Sequence, residues 1–202
     1  MPTPPPLSHP ALSHPTRYDA GRGRVALVVP GVGYSPARPL LHFAREVLLR
    51  HGWTVQELWW QPPGDLGGLP TDDRIAWVEN EVARAVDAED GACGLLLGKS
   101  LGSLATGLAA ERDLPAAWLT PLLIAERVAA SLHAAKAPTL LIGGTADHWW
   151  NGPTATATGH QVLEIPSADH SLELPGDSLA SIDILHTVTT CLDTFLGTLP
   201  TD

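Results

Sequence analysis

The sequence predicts an α/β protein of three layers, in which helices cover both faces of a mainly parallel sheet of about six strands. Two observations support this class. Short β-branched or apolar runs alternate along the chain with longer segments whose apolar residues recur at helical spacing. One run, CGLLLG at 93–98, lacks polar residues at alternate positions, which is typical of a central parallel strand buried on both faces. Ligands of such sheets bind beyond the carboxyl ends of the strands, so the residues that follow each strand are the candidates for function.

The elements of the first half are bounded by local signals. RVALVVP at 24–30 is a β-branched run that stops at Pro-Gly, and it predicts a strand. The Ser-Pro pair at 35–36 then supplies an N-cap and a first-turn proline for a helix that ends near Gly52. WTVQELWW at 53–60 predicts the second strand, and Thr71 with two following aspartates predicts the start of the second helix. We expect the buried stripe of that helix to contain Ile75, Val78, Val82 and Val86.

The second half continues the alternation. After the strand at 93–98, the small residues of LGSLATGLAAER predict a helix that lies close against the sheet. Further strands are predicted at 116–120, 138–144 and 161–166, with a helix at about 122–135 between the first two. A last helix is predicted from about Asp177 to Leu196, with an apolar stripe formed by Leu179, Ile182, Leu185, Val188, Leu192 and Phe195.

Composition indicates one ordered domain. The chain has 202 residues, of which 44% are hydrophobic and 17% charged, and we expect a single domain over residues 21–202. Five of the first ten residues are proline, so residues 1–20 are predicted to form a disordered N-terminal arm. This start has neither the charged residues nor the apolar core of a signal peptide. We therefore expect a cytoplasmic protein.

Charge and cysteine content argue against several classes of partner. The net charge of −10 would repel phosphate backbones, so we expect no nucleic-acid partner. No apolar run approaches the ~20 residues of a bilayer span, so we expect no membrane partner either. Cys93 and Cys191 are too few for a disulfide scaffold and are predicted to be buried free thiols. The state of assembly is expected to be a monomer or a homodimer.

The stretch LLLGKSLGS at 95–103 has two possible interpretations. Gly-Lys-Ser ends a phosphate-binding P-loop, but that loop needs a glycine five positions before Gly98, where Cys93 stands. Gly-Lys-Ser-Leu-Gly also fits a nucleophile elbow, a strained strand-to-helix turn with small residues two positions before and after the serine. Gly98 and Gly102 stand at those positions. We favour the elbow, with Ser100 as the nucleophile.

A serine nucleophile needs a base and an acid. Histidine accepts the hydroxyl proton, and a carboxylate fixes the histidine tautomer and stabilises the imidazolium. Asp147 follows one predicted strand and His170 follows the next, in the order serine, acid, base. We therefore predict a triad of Ser100, His170 and Asp147. Asp169, beside the histidine, is the alternative acid.

An oxyanion hole would complete the site. The backbone N–H of Leu101 is the expected first donor, and VVPGVGYSP after the first strand supplies the second, with Val32 preferred over Gly33 or Tyr34. Gly33 and Tyr34 are then expected to contact the substrate. Trp149 and Trp150, directly after the acid, are also predicted to line the substrate pocket.

Other chemistry is less well supported. Lys99, beside the nucleophile, is expected to be a structural or surface residue rather than a base. The Asp-His pairs at 147–148 and 169–170, with His160, could be metal ligands, but no compact ligand spacing supports this. We therefore expect no metal and no cofactor.

The motifs GKSLG, GTADH and ADHSL resemble those of the α/β-hydrolase fold, a superfamily of serine hydrolases, over residues 24–197. The resemblance implies the triad roles given above and a small-molecule ester or thioester as substrate. A binding protein that keeps the fold without turnover remains the alternative.

Three departures from this superfamily matter. The two antiparallel strands that usually come first are absent or reduced to RYDAGRGR at 17–24, which predicts a truncated sheet. Pro30 stands where a histidine is common. No long insertion separates 116–120 from 138–144, so we expect no lid and an open site.

Overall fold

The structure, a computed structural model, describes residues 16–21 and 23–200. Its sheet has seven strands in the order β1-β3-β2-β4-β5-β6-β7. Only β1 is antiparallel to its neighbour, so the predicted three-layer class with a mainly parallel sheet is confirmed. The strands are β1 Arg17–Tyr18, β2 Val25–Val29, β3 Thr54–Glu57, β4 Cys93–Lys99, β5 Ala116–Leu119, β6 Thr139–Gly144 and β7 Gln161–Ile165.

Helices cover both faces of this sheet. The helices are α1 Pro39–Arg50, α2 Thr71–Asp87, α3 Thr106–Glu111, α4 Glu126–Ala134, α5 Gly152–Ala157 and α6 Ser178–Thr198, with 3-10 turns at Leu66–Gly68 and Ser100–Ala105. Alternate residues of β2 show the two layers. Val28 packs in the core cluster of α1 and α6, whereas Val29 packs in the cluster of α2, α3, α4 and α5. The apolar run of β4 is buried in both layers, as a central strand requires.

Two helical predictions need correction, and one helix was not predicted. Helix α1 begins at Pro39 with Arg38 as N-cap, because the chain after the Ser-Pro pair first makes a turn. The segment after the elbow starts as a 3-10 turn and becomes α-helical only at Thr106. Helix α5 was not predicted, since GPTATA is poor in helix formers. It is started by Asn151, whose side-chain oxygen accepts the N–H of Thr154.

Helix α6 has the predicted length but a different buried face. Leu179 and Ile182, at its start, are exposed, and the buried residues are Ile184, Val188, Leu192, Phe195 and Leu196. Among the described helices, α6 is the one that could cross a membrane by length and mean hydropathy alone. Its buried residues pack into the core cluster that α1 and the sheet also form. That packing is typical of a helix within an α/β domain.

The N-terminal boundary differs from the prediction. Most of the predicted arm, residues 1–15, lies outside the described residues, but residues 16–20 belong to the domain. Strand β1 pairs with β3 at the edge of the sheet, and Arg17 makes an ion pair with Glu89 at 2.8 Å. This short antiparallel strand, within 17–24, fits the predicted truncation of the sheet.

The two cysteines are free, as predicted. Cys93 is buried, and burial raises the pKa of its thiol to about 11. Cys191 is only half-buried, because it lies on the side of α6 between the core and the surface.

Candidate active site

Ser100 lies in the sharp turn between β4 and the 3-10 segment that follows it. Its φ is +52°, a backbone conformation that residues other than glycine rarely adopt. Backbone and rings crowd the turn on both sides. A Cβ at Gly98 would lie 2.5 Å from the Trp118 ring, and a Cβ at Gly102 would lie 2.5 Å from the carbonyl oxygen of Val29. Both positions therefore need glycine, which explains the spacing of the elbow motif.

The three predicted triad side chains lie in one hydrogen-bonded chain. The Ser100 hydroxyl donates to His170 Nε2 at 2.7 Å, and His170 Nδ1 donates to Asp147 Oδ2 at 2.8 Å. A carboxylate can only accept, so Nδ1 carries the proton and Nε2 is free to accept from the serine. The Asp147 side chain is fully buried, whereas that of His170 is 34% exposed. The histidine is thus accessible from solvent and the carboxylate is not.

The loop that carries Asp147 lies directly against the loop that carries His170. The N–H of Ala146 donates to the carbonyl of Ala168 at 3.0 Å. A Cβ at Gly144 would lie 2.1 Å from that same carbonyl oxygen, so only glycine permits the approach. Asp147 is also fixed from the other side, because its Oδ1 accepts the N–H of Trp149 at 2.9 Å.

Asp169, the alternative acid, has a different role. Its Oδ1 accepts the N–H groups of Ser171 at 2.8 Å and Glu173 at 3.1 Å. These bonds close the turn that carries His170. Geometry therefore leaves Asp147 as the acid that touches the histidine.

The loop after β2 approaches the nucleophile closely. A Cβ at Gly31 would lie 3.1 Å from the Cβ of Ser100. Gly31 pairs with Tyr34 across a tight turn formed by Val32 and Gly33, and Gly33 has a φ of +63° that suits glycine. The Val32 side chain is 67% exposed. Both predicted oxyanion donors thus lie on segments next to Ser100, since Leu101 follows it and Val32 lies in this turn.

Tyr34 anchors that loop and is largely buried. Its hydroxyl accepts the N–H of Leu40 in the first turn of α1 at 3.2 Å. Burial raises the pKa of the phenol, so the hydroxyl stays neutral. The ring also borders a cleft of about 310 Å³, which lies between the starts of α1 and α6. Ser171, the neighbour of the base, lines the same cleft, and so do the apolar side chains of Leu174, Ile182 and Leu185.

Lys99 is buried inside the site, not on the surface. Only 1% of it is exposed, and its Nζ donates to Thr120 Oγ1 at 3.1 Å and to the carbonyl of His170 at 2.9 Å. Burial lowers the pKa of Lys99 to about 8, an effect that the charges of Asp147 and Asp169 partly oppose. An ammonium held under the histidine loop cannot reach a nucleotide phosphate, which removes the P-loop interpretation. Nothing in the local sequence indicated these partners, because they lie in the segments that follow β5 and β7.

The two predicted pocket tryptophans differ. Trp149 is 36% exposed and stands edge-on to the ring of His148. Trp150 is buried in the core, where its indole N–H donates to Glu164 at 2.7 Å and its ring covers Gly143. Substrate contact is therefore not supported for Trp150, which acts in packing. The pair lies at the end of a turn that the N–H of Trp150 closes by donating to the carbonyl of Asp147 at 3.1 Å, and the second tryptophan of the pair points inward.

Of the cleft residues, Tyr34 was a predicted site residue, but Leu174, Ile182 and Leu185 were not. Leu174 lies two residues after the ADHSL motif, and Ile182 and Leu185 lie within α6. As for metal ligands, residues 16–21 and 23–200 contain no group of three His, Cys, Asp or Glu side chains placed to hold an ion.

No protein-family model and no curated protein matches this sequence. Solved structures do match. An α/β serine hydrolase homologue from Coxiella burnetii is 15% identical, with a TM-score of 0.62 and 84% of each chain covered. An α/β serine hydrolase without a lid from Xanthomonas campestris is 17% identical, with a TM-score of 0.63 over 90% of this chain and 84% of that one.

A third structure, a monoacylglycerol lipase from Paleococcus ferrophilus, is 15% identical, with a TM-score of 0.66 over 89% of this chain and 97% of that one. In the present chain, the connection between β5 and β6 contains α4 alone, with no larger insertion. The sheet order, the strand-to-helix turn at Ser100 and these structural likenesses agree. The chain has the α/β-hydrolase fold, in a truncated form.

Proposed function

We propose that the protein is a serine hydrolase that cleaves a small ester or thioester through an acyl-enzyme on Ser100. The observation that carries this proposal is the continuous hydrogen-bonded chain from the Ser100 hydroxyl through His170 to Asp147. A serine at positive φ, with an imidazole nitrogen 2.7 Å from its oxygen, is arranged for nucleophilic attack. A stable fold does not by itself require these three polar side chains in one hydrogen-bonded chain.

The geometry supports a two-stage mechanism. In the first stage, His170 Nε2 takes the Ser100 proton while the serine oxygen bonds to the substrate carbonyl carbon. The negative oxygen then accepts hydrogen bonds from the N–H groups of Leu101 and Val32. Collapse of this intermediate breaks the bond to the alcohol or thiol, which leaves with the proton from His170. Asp147, hydrogen-bonded to His170 Nδ1, stabilises the imidazolium throughout.

In the second stage, water takes the place of the leaving group. His170 accepts a proton from the water while the water oxygen attacks the acyl carbon, and a second tetrahedral intermediate forms. Its collapse returns the proton to Ser100 and releases the carboxylic acid. The exposed face of His170 lets the water enter, since 34% of that side chain is accessible.

The size of the substrate is inferred from the cleft beside the base. A volume of about 310 Å³ is at the small end of ligand pockets, which span ~300–1,000 Å³. Its walls include Leu174, Ile182 and Leu185, which suit an apolar acyl or alkyl group. We therefore propose a short to medium chain, with Gly33 and Tyr34 near the scissile bond and Trp149 at the rim.

Covalent labelling tests the proposal directly. A fluorophosphonate probe should attach to Ser100 in the wild type, and Ser100→Ala should abolish labelling without changing the circular dichroism spectrum. A panel of p-nitrophenyl esters and acyl thioesters of graded chain length would then define the substrate class. Turnover of these esters should be the same with and without a chelator, because the mechanism uses no metal. A folded protein that binds esters but neither turns them over nor takes up the probe would be the non-catalytic binding protein instead.

A further inference from the structure

The ammonium group of Lys99 has an acceptor for each of its three N–H bonds. One bond points to Thr120 Oγ1 at 3.1 Å and another to the carbonyl oxygen of His170 at 2.9 Å. The nitrogen also lies 4.5 Å from the centre of the Tyr34 ring, at a distance typical of a cation–π contact. One buried cation thus joins the strand that carries the nucleophile, the loop of the base and the loop proposed to form the oxyanion hole.

This arrangement is costly, so it is unlike ordinary packing. A buried charge is disfavoured unless it is paired, and an apolar side chain of similar length would fill the same space without that cost. The nearest charges that favour the ammonium are those of Asp147, Asp169 and Glu173, and none of them makes an ion pair with it within hydrogen-bonding distance. Arg38 opposes it. Packing alone therefore gives no reason for a lysine at this position.

The acceptor that directly follows β5 is itself strained. Thr120 is fully buried and has a φ of +46°, which is rare for a β-branched residue. Its N–H still donates to the carbonyl of Ile142 at 2.7 Å, so the residue is held in place on both sides. Strain of this kind persists where surrounding structure over-determines it and is concentrated at functional sites. The strained backbone of Thr120 is thus a second observation, separate from the buried charge of Lys99, that indicates a functional arrangement.

We propose that Lys99 is a positioning residue, whose ammonium group holds the backbone carbonyl of His170 and thereby sets the distance between His170 Nε2 and Ser100 Oγ. The proposal rests on the function proposed above. Lys99 does not line the substrate cleft and lies beneath the histidine loop. Its loss should therefore change the reactivity of the serine and leave substrate affinity as it is.

The test compares Lys99→Met with Lys136→Met, which replaces the only other lysine of the chain. We expect the rate constant of fluorophosphonate labelling and kcat to fall by about 10-fold to 100-fold in Lys99→Met, since a displacement of about 1 Å can cost that much. KM should stay within about twofold of the wild-type value. Lys136→Met should match the wild type in all three quantities. Unfolding curves establish that each variant is folded at the assay temperature, and Lys99→Leu provides a second replacement should the methionine variant fail to fold.

A spectroscopic signal distinguishes positioning from general stability. The proton on His170 Nδ1, bonded to Asp147, should give a downfield proton resonance, which His170→Ala identifies by its loss. In folded Lys99→Met this resonance should broaden through exchange with water, while in Lys136→Met it should stay sharp. A sharp resonance together with wild-type labelling and kcat in Lys99→Met would overturn the proposal. Failure of the hydrolase function would show differently, as absence of labelling and turnover in the wild type, and the resonance would still decide the role of Lys99.

Discussion

Replacement of Lys99 by methionine should make the protein more stable at neutral pH, although we expect it to be less active. The ammonium is charged at pH 7, yet burial lowers its pKa from an ordinary 10.5 to about 8. That difference corresponds to about 3 kcal/mol of unfavourable free energy for the charged form in the folded protein. Methionine removes this cost but also removes two hydrogen bonds, to Thr120 and His170, at about 1 kcal/mol each. The variant should therefore be more stable than the wild type by about 1 kcal/mol at pH 7.

This difference should change sign as the pH rises. Between the folded pKa of about 8 and the unfolded value of 10.5, the unfolded chain binds a proton at Lys99 that the folded protein has released. The free energy of unfolding of the wild type therefore gains about 2 kcal/mol from this group between pH 7 and 9.5, and the methionine variant gains nothing from it. Below pH 8 the group contributes a constant penalty. At pH 9.5 the wild type should thus be the more stable protein, by about 1 kcal/mol.

Urea unfolding at pH 7.0 and 9.5 measures the effect, with Lys136→Met as the control for an unrelated lysine. Apart from the replaced lysine, each variant has the same titratable groups as the wild type, so the contributions of those groups to the pH dependence of unfolding cancel in the difference. Tyr34, which faces Lys99, has a raised pKa and stays protonated in both conditions. A stability difference between Lys99→Met and the wild type that is the same at both pH values would refute the reasoning. It would mean that the amine is not a buried charge with a lowered pKa.

Three further predictions concern the site and its surroundings. Ser100→Ala and His170→Ala should each reduce kcat to a similar residual value, and the double variant should be little worse than either single one, because the two act as a unit. Gly102→Ala should lower the free energy of unfolding by about 1 to 3 kcal/mol, since the new Cβ would lie 2.5 Å from a backbone carbonyl that cannot move freely. Ile182→Asp should reduce kcat/KM for hexanoyl esters by about 10-fold relative to acetyl esters, because it places a charge in the apolar cleft.

Matched variants keep these predictions specific. Multiplicative losses in the double variant would show that Ser100 and His170 act separately. Gly67→Ala is the control for Gly102→Ala, since nothing lies within 4 Å of its new Cβ, and equal effects on unfolding would contradict the crowding argument. Ile124→Asp, also at an exposed apolar position but outside the cleft, should leave the chain-length preference unchanged. If Ile182→Asp had the same preference for hexanoyl over acetyl esters as the wild type, the acyl group would not bind beside Ile182.

Local sequence sufficed where the chemistry depends on neighbours along the chain. The elbow could be predicted because its Gly-x-Ser-x-Gly spacing is a local motif, although the side chains and backbone that crowd its two glycines, Trp118 and Val29, lie on other strands. Asp147 and His170 could be predicted because parallel strands bring their carboxyl ends to one edge, so position after a strand implies proximity. The buried stripe of α2 was also correct in all four residues, since helical periodicity is a local property.

Features that depend on contacts between distant segments were missed or misplaced. Of the two expectations for Lys99, the structural one fits its burial and the surface one was wrong, and its acceptors could not be predicted because they lie 21 and 71 residues away along the chain. Trp150 has the same local setting as Trp149, and only the space above Gly143 decides that it packs inward. The start of α6 was expected to be buried, but Leu179 and Ile182 are exposed there, and Ile182 lines the cleft.

Costly conformations and charges are concentrated at the edge of the sheet where the triad lies. Ser100 and Thr120 have positive φ directly after β4 and β5, and Leu172 has a φ of +57° in the loop that carries the base. Each such residue costs about 1 to 3 kcal/mol, and the buried ammonium of Lys99 adds a cost of similar size. A protein selected only for a stable fold would lose these features, because glycine or an apolar side chain would be better tolerated at each position. Their presence together, around a serine whose hydroxyl contacts an imidazole nitrogen, supports the catalytic role proposed above for this site.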